Sequence, residues 1–501
     1  MAFPETREGP APEQLGERHL SFIDAVAQSI GFMGPVFGMA FLTFLVAGAG
    51  ATGKGAGAAT PLSMLFALVG VAAIAWIVAA FARRIRAAGS LYDYVTFAFG
   101  DRVGFVAGWV YYLGVTVLAI NTVLFLGGLL SDFLASEFDI GIPYWILGLL
   151  FVGALFFLLY FGVRISTRAQ LVLAGFTMAA VLAFALSIIF RGGEGGNTIE
   201  PFTVGASQQG WEGIFFGLLY AILIFTGFET AANLAEETLD PHRAIPRAVL
   251  WALGLVGVYF LIVTYSFSIG FGLDGSVWAQ DPAALITLGF QYGNTFIARA
   301  LFILAILDLA AVGVGCSVAA SHGLFALARD RRLPAVLART NRKYGTPAAS
   351  IIFVLLLSVA LVLFVRLTGG FLDLGPAGQE APEYLPVFLW LAGLGSLCLV
   401  VVYAAISLGG LKGLSRYGNR AGMVVAGIVG LAIALGAIWG SIYKVPSPGD
   451  KIPWAVGIWI VVGLLYLGAL LAMGRFRPAL STLEPDGAEA TPAAARPVDE
   501  T

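Results

Sequence analysis

Apolar runs long enough to cross a bilayer, about 20 residues each, recur twelve times along the chain. They lie near 20–47, 62–82, 104–131, 143–162, 169–190, 211–234, 247–271, 295–326, 347–366, 385–409, 421–443 and 453–473. The pattern predicts an all-α polytopic membrane protein of about twelve transmembrane helices. Outside the runs, residues 1–19 and 478–501 are rich in Pro, Ala, Glu and Thr and read as disordered tails. Residues 367–384 read as a flexible connector.

Two runs break their own pattern. The sixth leads through Phe225-Thr226-Gly227-Phe228-Glu229, stays apolar for one more turn, and ends in a charged loop with Pro241 and Pro246. Gly weakens a helix by about 1 kcal/mol, and a charged side chain near the bilayer centre costs about 2.5–3.5 kcal/mol on insertion scales. Such a pair suits a helix that lines a cavity. The segment Phe225 to Glu229 therefore reads as a break in span six at a substrate site, or as a kink with Glu229 paired inside the bundle. The first run carries Gly31-Phe32-Met33-Gly34-Pro35 in mid-span. Proline ends one helix and suits the first position of the next. Gly31 to Pro35 is expected to be an unwound joint whose second half-helix offers N–H groups and a positive dipole end to a carboxylate; a plain proline kink is the alternative. Five spans separate the two breaks, so a repeated five-helix unit would sit upside down the second time. Interrupted segments in matching places of inverted halves point to a transporter site.

Charge orients the chain. With the first residue inside, all but six of the 28 Lys and Arg fall on inner segments, the six being Lys54, Arg191, Arg299, Arg366, Lys444 and Lys451. The positive-inside rule then puts both termini in the cytoplasm. The composition agrees with a membrane protein: 59% hydrophobic, 12% charged, mean hydropathy +0.89. A net charge of −2 gives no sign of nucleic-acid binding. Cys316 and Cys398 lie inside apolar runs and imply no disulfide framework. The start lacks a signal peptide's basic region and cleavage site, so the first run is expected to remain as a span. Three histidines and no His-Glu-x-x-His string leave little for a metalloenzyme. A channel would want a polar lining or charge rings, whereas isolated carboxylates at two breaks suit a closed single-occupancy site.

Four further groups stand out. Asp308 falls about midway through span eight at 1.5 Å per residue, where a carboxylate is a functional candidate: an amine ligand, a proton carrier, or a group satisfied by neighbouring hydroxyls. His322, near the inner end of the same span, can titrate near neutral pH or simply pack. Asn121 reads as a bond between helices. Glu236 and Glu237, with Arg243 and Arg247, read as an inner-gate charge network or a solvated loop.

The chain resembles the amino acid–polyamine–organocation permeases. The resemblance rests on Gly227-Phe228-Glu229, Glu236-Glu237-Thr238, Asp240-Pro241, Arg243 and Ile245-Pro246-Arg247 around span six. It is supported by Ala88 to Tyr94 with Gly100, Gly104, Gly108 and Trp109. Further support comes from Phe325 to Asp330 with Leu333-Pro334 and Gly345-Thr346-Pro347. It implies the leucine-transporter-type fold: two inverted five-helix repeats, here 20–190 and 211–409, two extra helices at 421–473, and cytoplasmic tails 1–19 and 474–501. It implies a secondary active transporter that carries amino acids across the cytoplasmic membrane by alternating access. A permease for a cationic amine (polyamine, ethanolamine or similar) is the alternative. By position, Gly31, Phe32, Met33, Gly34 and Pro35 and then Phe225, Thr226, Gly227 and Phe228 would bind substrate, with Phe225 and Phe228 as lids. Where the family usually shows Gly-Ser-Gly, this chain has Met33-Gly34-Pro35, and His322 stands at the family's span-eight arginine. No Lys or Arg lies between Arg168 and Arg191, so a lysine-based proton switch in span five is not available. Glu229, Asp308, Ser317, Thr177 and His322 are the coupling candidates. A sodium ion on Ser317, Thr177 and span-one carbonyls, a proton, or uncoupled exchange all remain open. No cofactor is implied, and the sequence sets no oligomeric state.

Overall fold

The computed structural model describes residues 15, 19–48, 54–341, 343–370, 382–414, 420–443, 445 and 447–476. The predicted tails and most of the 367–384 connector lie outside the described residues. Among those described, eleven helical segments are long and apolar enough to cross a membrane, and a shorter apolar helix, Tyr144–Tyr160, stands at the fourth expected position.

Span one is Phe22–Met33 followed by Pro35–Phe41, with Thr43–Gly48 beyond. Its start is fixed by a capping box in which Ser21 and Asp24 satisfy each other's backbone N–H groups. Spans two and three are Thr60–Ala82 and Asp101–Phe138, with a short helix Leu91–Phe99 between them. Span five is Val163–Arg191. Span six is Gly210–Phe225, then a 3₁₀ stretch Thr230–Leu234. Span seven is Pro241–Gly270. Spans eight to twelve are Thr295–Arg329, Ala348–Thr368, Tyr384–Gly409, Arg420–Ile442 and Ile452–Ala472.

Burial sorts these spans. Most of spans one, three, six, eight and ten is inside the protein, whereas spans nine, eleven and twelve turn the larger part of their surface outward. A helix hydrophobic all round cannot be placed by amphipathicity. Here the inner helices are marked by what apolar faces cannot use: Asp308, Glu229, Asn121, Ser317 and Gln28 are all buried. The two broken spans cross within this inner group. Ser29 Oγ donates to Phe228 O at 2.8 Å and accepts from Ala231 N–H at 3.1 Å, tying the first half-helix of span one to the break in span six.

Candidate functional site

The break in span one is narrower than the expected joint. Gly31, Phe32 and Met33 are helical, and a single residue, Gly34, turns left-handed with φ 57° and ψ 66°. Its N–H still reaches Ile30 O at 3.2 Å, and the helix restarts at once at Pro35. Gly31 is needed for packing. A Cβ there would lie 2.8 Å from the Gln170 side chain, and the neighbouring Phe32 backbone comes within 2.8 Å of where Gly315 would carry one. So Gln170 of span five lies against Gly31, and Gly315 of span eight lies against the Phe32 backbone.

The break in span six falls where expected. Thr226 is extended at ψ 133° and Gly227 has φ 111°. A Cβ on Gly227 would lie 2.1 Å from Phe32 Cδ1, so glycine is required both by conformation and by the approach of span one.

The N–H groups expected to await a substrate carboxylate already have one. Asp308 Oδ2 accepts from Val36 N–H at 2.9 Å and Phe37 N–H at 2.8 Å. Thr177 Oγ1, from span five, lies 3.3 Å from Asp308 Oδ1 and 3.2 Å from Ala174 O. Asp308, read as an amine ligand, a proton carrier or a carboxylate satisfied by neighbouring hydroxyls, is here an internal cap on the second half of span one, with the Thr177 hydroxyl beside it.

Glu229 is fully buried and held by two tyrosines that sequence reasoning did not single out. Tyr403 Oη lies 3.0 Å from both carboxylate oxygens, Tyr111 Oη donates to Oε1 at 3.0 Å, and Gly227 N–H reaches Oε2 at 3.3 Å. These residues come from spans three, six and ten, so the carboxylate is a three-helix joint. Tyrosines inside apolar runs carry no sequence signal for such a role.

A small cavity of about 50 Å³ lies at the breaks. Phe32 and Met33 line it from span one and Thr226 from span six, with Asn121 and Thr122 from span three and Cys316 from span eight. Asn121 also donates to Phe388 O at 2.9 Å, the helix-to-helix bond expected of it. Of the other residues expected to bind substrate, Gly31, Gly34, Pro35, Phe225, Gly227 and Phe228 shape the breaks without lining this cavity. The expected lids are elsewhere: Phe225 packs edge-on against Phe260, and Phe228 lies against Tyr403. The aromatics at the cavity are Phe32, Phe37 and Phe388. Phe388 stacks on Phe125, and Phe37 meets both edge-on. Phe41 extends the cluster to Phe302. This plug closes the side toward which span one runs.

The side on which span one begins is closed by charge. Arg329 makes a two-pronged pair with Glu236 at 2.7 Å and 2.7 Å, and Ala88 N–H donates to Glu236 at 2.9 Å. Burial pushes the Glu236 carboxyl up, but the Arg329 guanidinium outweighs it and holds it below the usual carboxylate range. His322 Nε2 lies 2.9 Å from Glu237 Oε1. The expected arginine partners are not used in this way. Arg243 pairs with Asp240 at 3.8 Å on the surface, and Arg247 is exposed. Span seven carries both arginines outward, whereas span eight ends directly over the two glutamates. A two-residue bridge from Leu20 to Thr238 adds main-chain bonds on the same side.

Thr177 and Ser317 are both buried, and Gln170 makes a second polar link among spans one, five and eight besides the Thr177–Asp308 contact. With its amide turned to satisfy both ends, it donates to Ala27 O at 3.2 Å and accepts from Gly315 N–H at 2.9 Å. Gln28 donates to Gly315 O at 2.9 Å beside it. Thr177 meets Asp308 instead, and the Ser317 hydroxyl makes no hydrogen bond among the described residues. A polar amide in an apolar span was the signal that could have found Gln170. No cluster of three or more potential metal ligands occurs among the described residues.

Comparison with known proteins bears on the family and the fold. The chain is similar to an uncharacterized transporter of Mycobacterium tuberculosis, 29% identical, with 62% of this chain and 68% of the relative covered. It is 26% identical to the low-affinity putrescine importer PlaP of Escherichia coli, with 59% of this chain and 65% of the relative covered. Among solved structures, a mutant of the Eremococcus coleocola manganese transporter superposes with a TM-score of 0.55 at 13% identity, covering 93% of this chain and 99% of that one. At that identity the likeness concerns the fold, which is of the leucine-transporter type with two inverted five-helix repeats and two extra helices. The pattern that defines the amino acid permeases matches residues 20–465, and the chain belongs to the amino acid permease family.

Proposed function

We propose that this permease carries a small, net-neutral amino acid across the cytoplasmic membrane by alternating access, with both termini in the cytoplasm. The observation that carries the reading is the cavity shared by the two breaks. Its polar lining is Asn121, Thr122 and Thr226, with no charged side chain. A polycation buried there would have no counter-charge in contact, a costly arrangement, whereas a zwitterion brings its own. About 50 Å³ is room for roughly one or two waters, so binding an amino acid requires Phe37, Phe388 or Met33 to swing aside.

In the cycle, the Phe37–Phe125–Phe388 plug is the outer gate, and the Glu236–Arg329 and Glu237–His322 pairs with the Leu20–Thr238 bridge are the inner gate. The helices 20–190 and 211–409 form the two repeats that rock against each other, with 421–473 outside them. Coupling to a proton or to sodium belongs to this proposal, with Glu229, Asp308, Ser317, Thr177 and His322 as the candidate groups.

One observation favours a second reading, a cationic amine without a carboxylate. The Val36 and Phe37 N–H groups are taken by Asp308, so a substrate carboxylate reaches them only by displacing it. Counterflow in proteoliposomes decides between the two. Each amino acid is tested beside the amine left by removing its carboxyl group. Saturable exchange of the amino acid alone supports the first reading, exchange of the amine alone supports the second, and exchange of neither sinks both.

A further inference from the structure

Two adjacent glutamates follow the broken span, and span eight answers each with a different kind of base. Arg329, permanently charged, takes Glu236. His322 takes Glu237, and that pair is almost entirely out of solvent, at 1% and 3% exposed.

The hydrogen count of this second pair is fixed by its other contact. His322 Nδ1 lies 2.9 Å from Val318 O. A carbonyl oxygen only accepts, so Nδ1 carries a hydrogen. A neutral imidazole has one N–H, and its other nitrogen is an acceptor. Nε2, 2.9 Å from Glu237 Oε1, would then set a lone pair against a carboxylate oxygen, with nothing between them. The contact therefore contains one proton more than a neutral histidine beside an ionised glutamate. Whether written as imidazolium and carboxylate or as imidazole and carboxylic acid, the pair is neutral as a whole. Removing that proton leaves a buried negative charge facing an acceptor, which drives the two groups apart.

We propose that this shared proton is the coupling ion of the carrier: it is taken up from the outer side while the carrier is open outward, is held between His322 and Glu237 while the cytoplasmic side is closed, and is released to the cytoplasm when that side opens. The inference rests on the carrier reading above. The backbone around Glu237 makes the link to gating direct. Glu237 O accepts from His19 N–H at 2.9 Å and Leu20 N–H at 3.0 Å, and Leu239 N–H donates to Leu20 O at 2.8 Å. Loss of the pair thus frees the loop after span six together with the start of span one.

The other charged and titratable groups nearby have separate partners. Glu236 is committed to Arg329, with the neighbouring Asp330 and then Asp93 of the Leu91–Phe99 helix acting on the same arginine. On span one, Asp24 is bonded by Ser21 and by Thr167 of span five. On span three, the Tyr112 hydroxyl donates to Gly89 O and accepts from Asn233.

The test uses the full-length protein in proteoliposomes, with a solute identified by counterflow and a trapped pH dye. Wild type is expected to move about one proton per solute. Its apparent solute affinity should change by about tenfold per pH unit on the alkaline side of the transition, the slope for one linked proton. His322→Gln and Glu237→Gln, each made separately, are expected to bring the proton-to-solute ratio toward zero and to flatten the affinity profile. Solute binding to the purified variants gives the slope independently of flux. Solute flux without proton movement in wild type overturns the proposal while leaving the carrier intact. So does either variant keeping both the ratio and the slope. Absence of counterflow for every solute would instead strike the carrier reading itself.

Discussion

Asp308 caps Phe37 across 271 residues of sequence, Oδ2 to N–H at 2.8 Å, and holds Val36 with the same oxygen. Proline at the first position leaves the next two N–H groups of the half-helix in need of an acceptor, and the carboxylate of span eight supplies it. Asp308→Ala leaves both donors buried, at about 1–3 kcal/mol each. Asp308→Asn keeps one acceptor oxygen and should lose less. Thermal unfolding in detergent is expected to rank wild type above Asn and Asn above Ala; equal melting of all three would mean the cap contributes nothing.

Tyr403 and Tyr111 hold Glu229 unequally, the first at both oxygens and the second at one. A hydrogen bond to a charged group is worth about 1.5–3 kcal/mol. A phenol carries one O–H, so Tyr403 shares a single hydrogen between the two oxygens and each tyrosine supplies one such bond. Tyr403→Phe and Tyr111→Phe should each destabilise by about that amount and weaken solute binding by disordering the span-six break. Unchanged unfolding and binding in both variants would refute the geometry.

Gly227→Ala meets two obstacles at once, a φ of 111° and the Phe32 ring 2.1 Å from the new methyl. Transport is expected to fall to background. Gly254→Ala on span seven has nothing within 4 Å and should transport like wild type. If Gly227→Ala were as active as Gly254→Ala, the two breaks would not touch as described.

The Glu236–Arg329 pair sets a pH signature on stability. The Glu236 carboxyl is held below its ordinary value, so its contribution is complete at neutral pH and is lost as the pH falls through that lowered value. The stability gap between wild type and Glu236→Gln, followed by melting from neutral to acid, should narrow only at a pH below about 4, the ordinary glutamate range. A gap independent of pH would show that the charge is not what matters.

The sequence made spans, breaks and family legible because each is written locally. Apolar length marks a span, and Gly-Pro or Gly-Glu in mid-span marks a break. What was not legible is which neighbour satisfies each exception. Gly31 and Gly34 look alike in the sequence, yet Gly34 turns the chain while Gly31 makes room for Gln170 of span five. Asp308 was visible as a buried carboxylate, but its partners lie in spans one and five, and no spacing rule connects them. Arg243 and Arg247 were paired with the glutamates by nearness in sequence, and helix direction assigned those glutamates to Arg329 and His322. Phe225 and Phe228 were chosen as lids because they flank the break. Phe225 packs instead on Phe260 and Phe228 on Tyr403, and the rings at the cavity are Phe32, Phe37 and Phe388.

The Leu20–Thr238 bridge makes the residues just before span one a mechanical part of the permease. In the proposed cycle, each opening of that side peels His19 and Leu20 off the Glu237 carbonyl. A bulky fusion, a crosslink or a bound protein seated at residue 19 would then act as a brake or a wedge on turnover without approaching the solute.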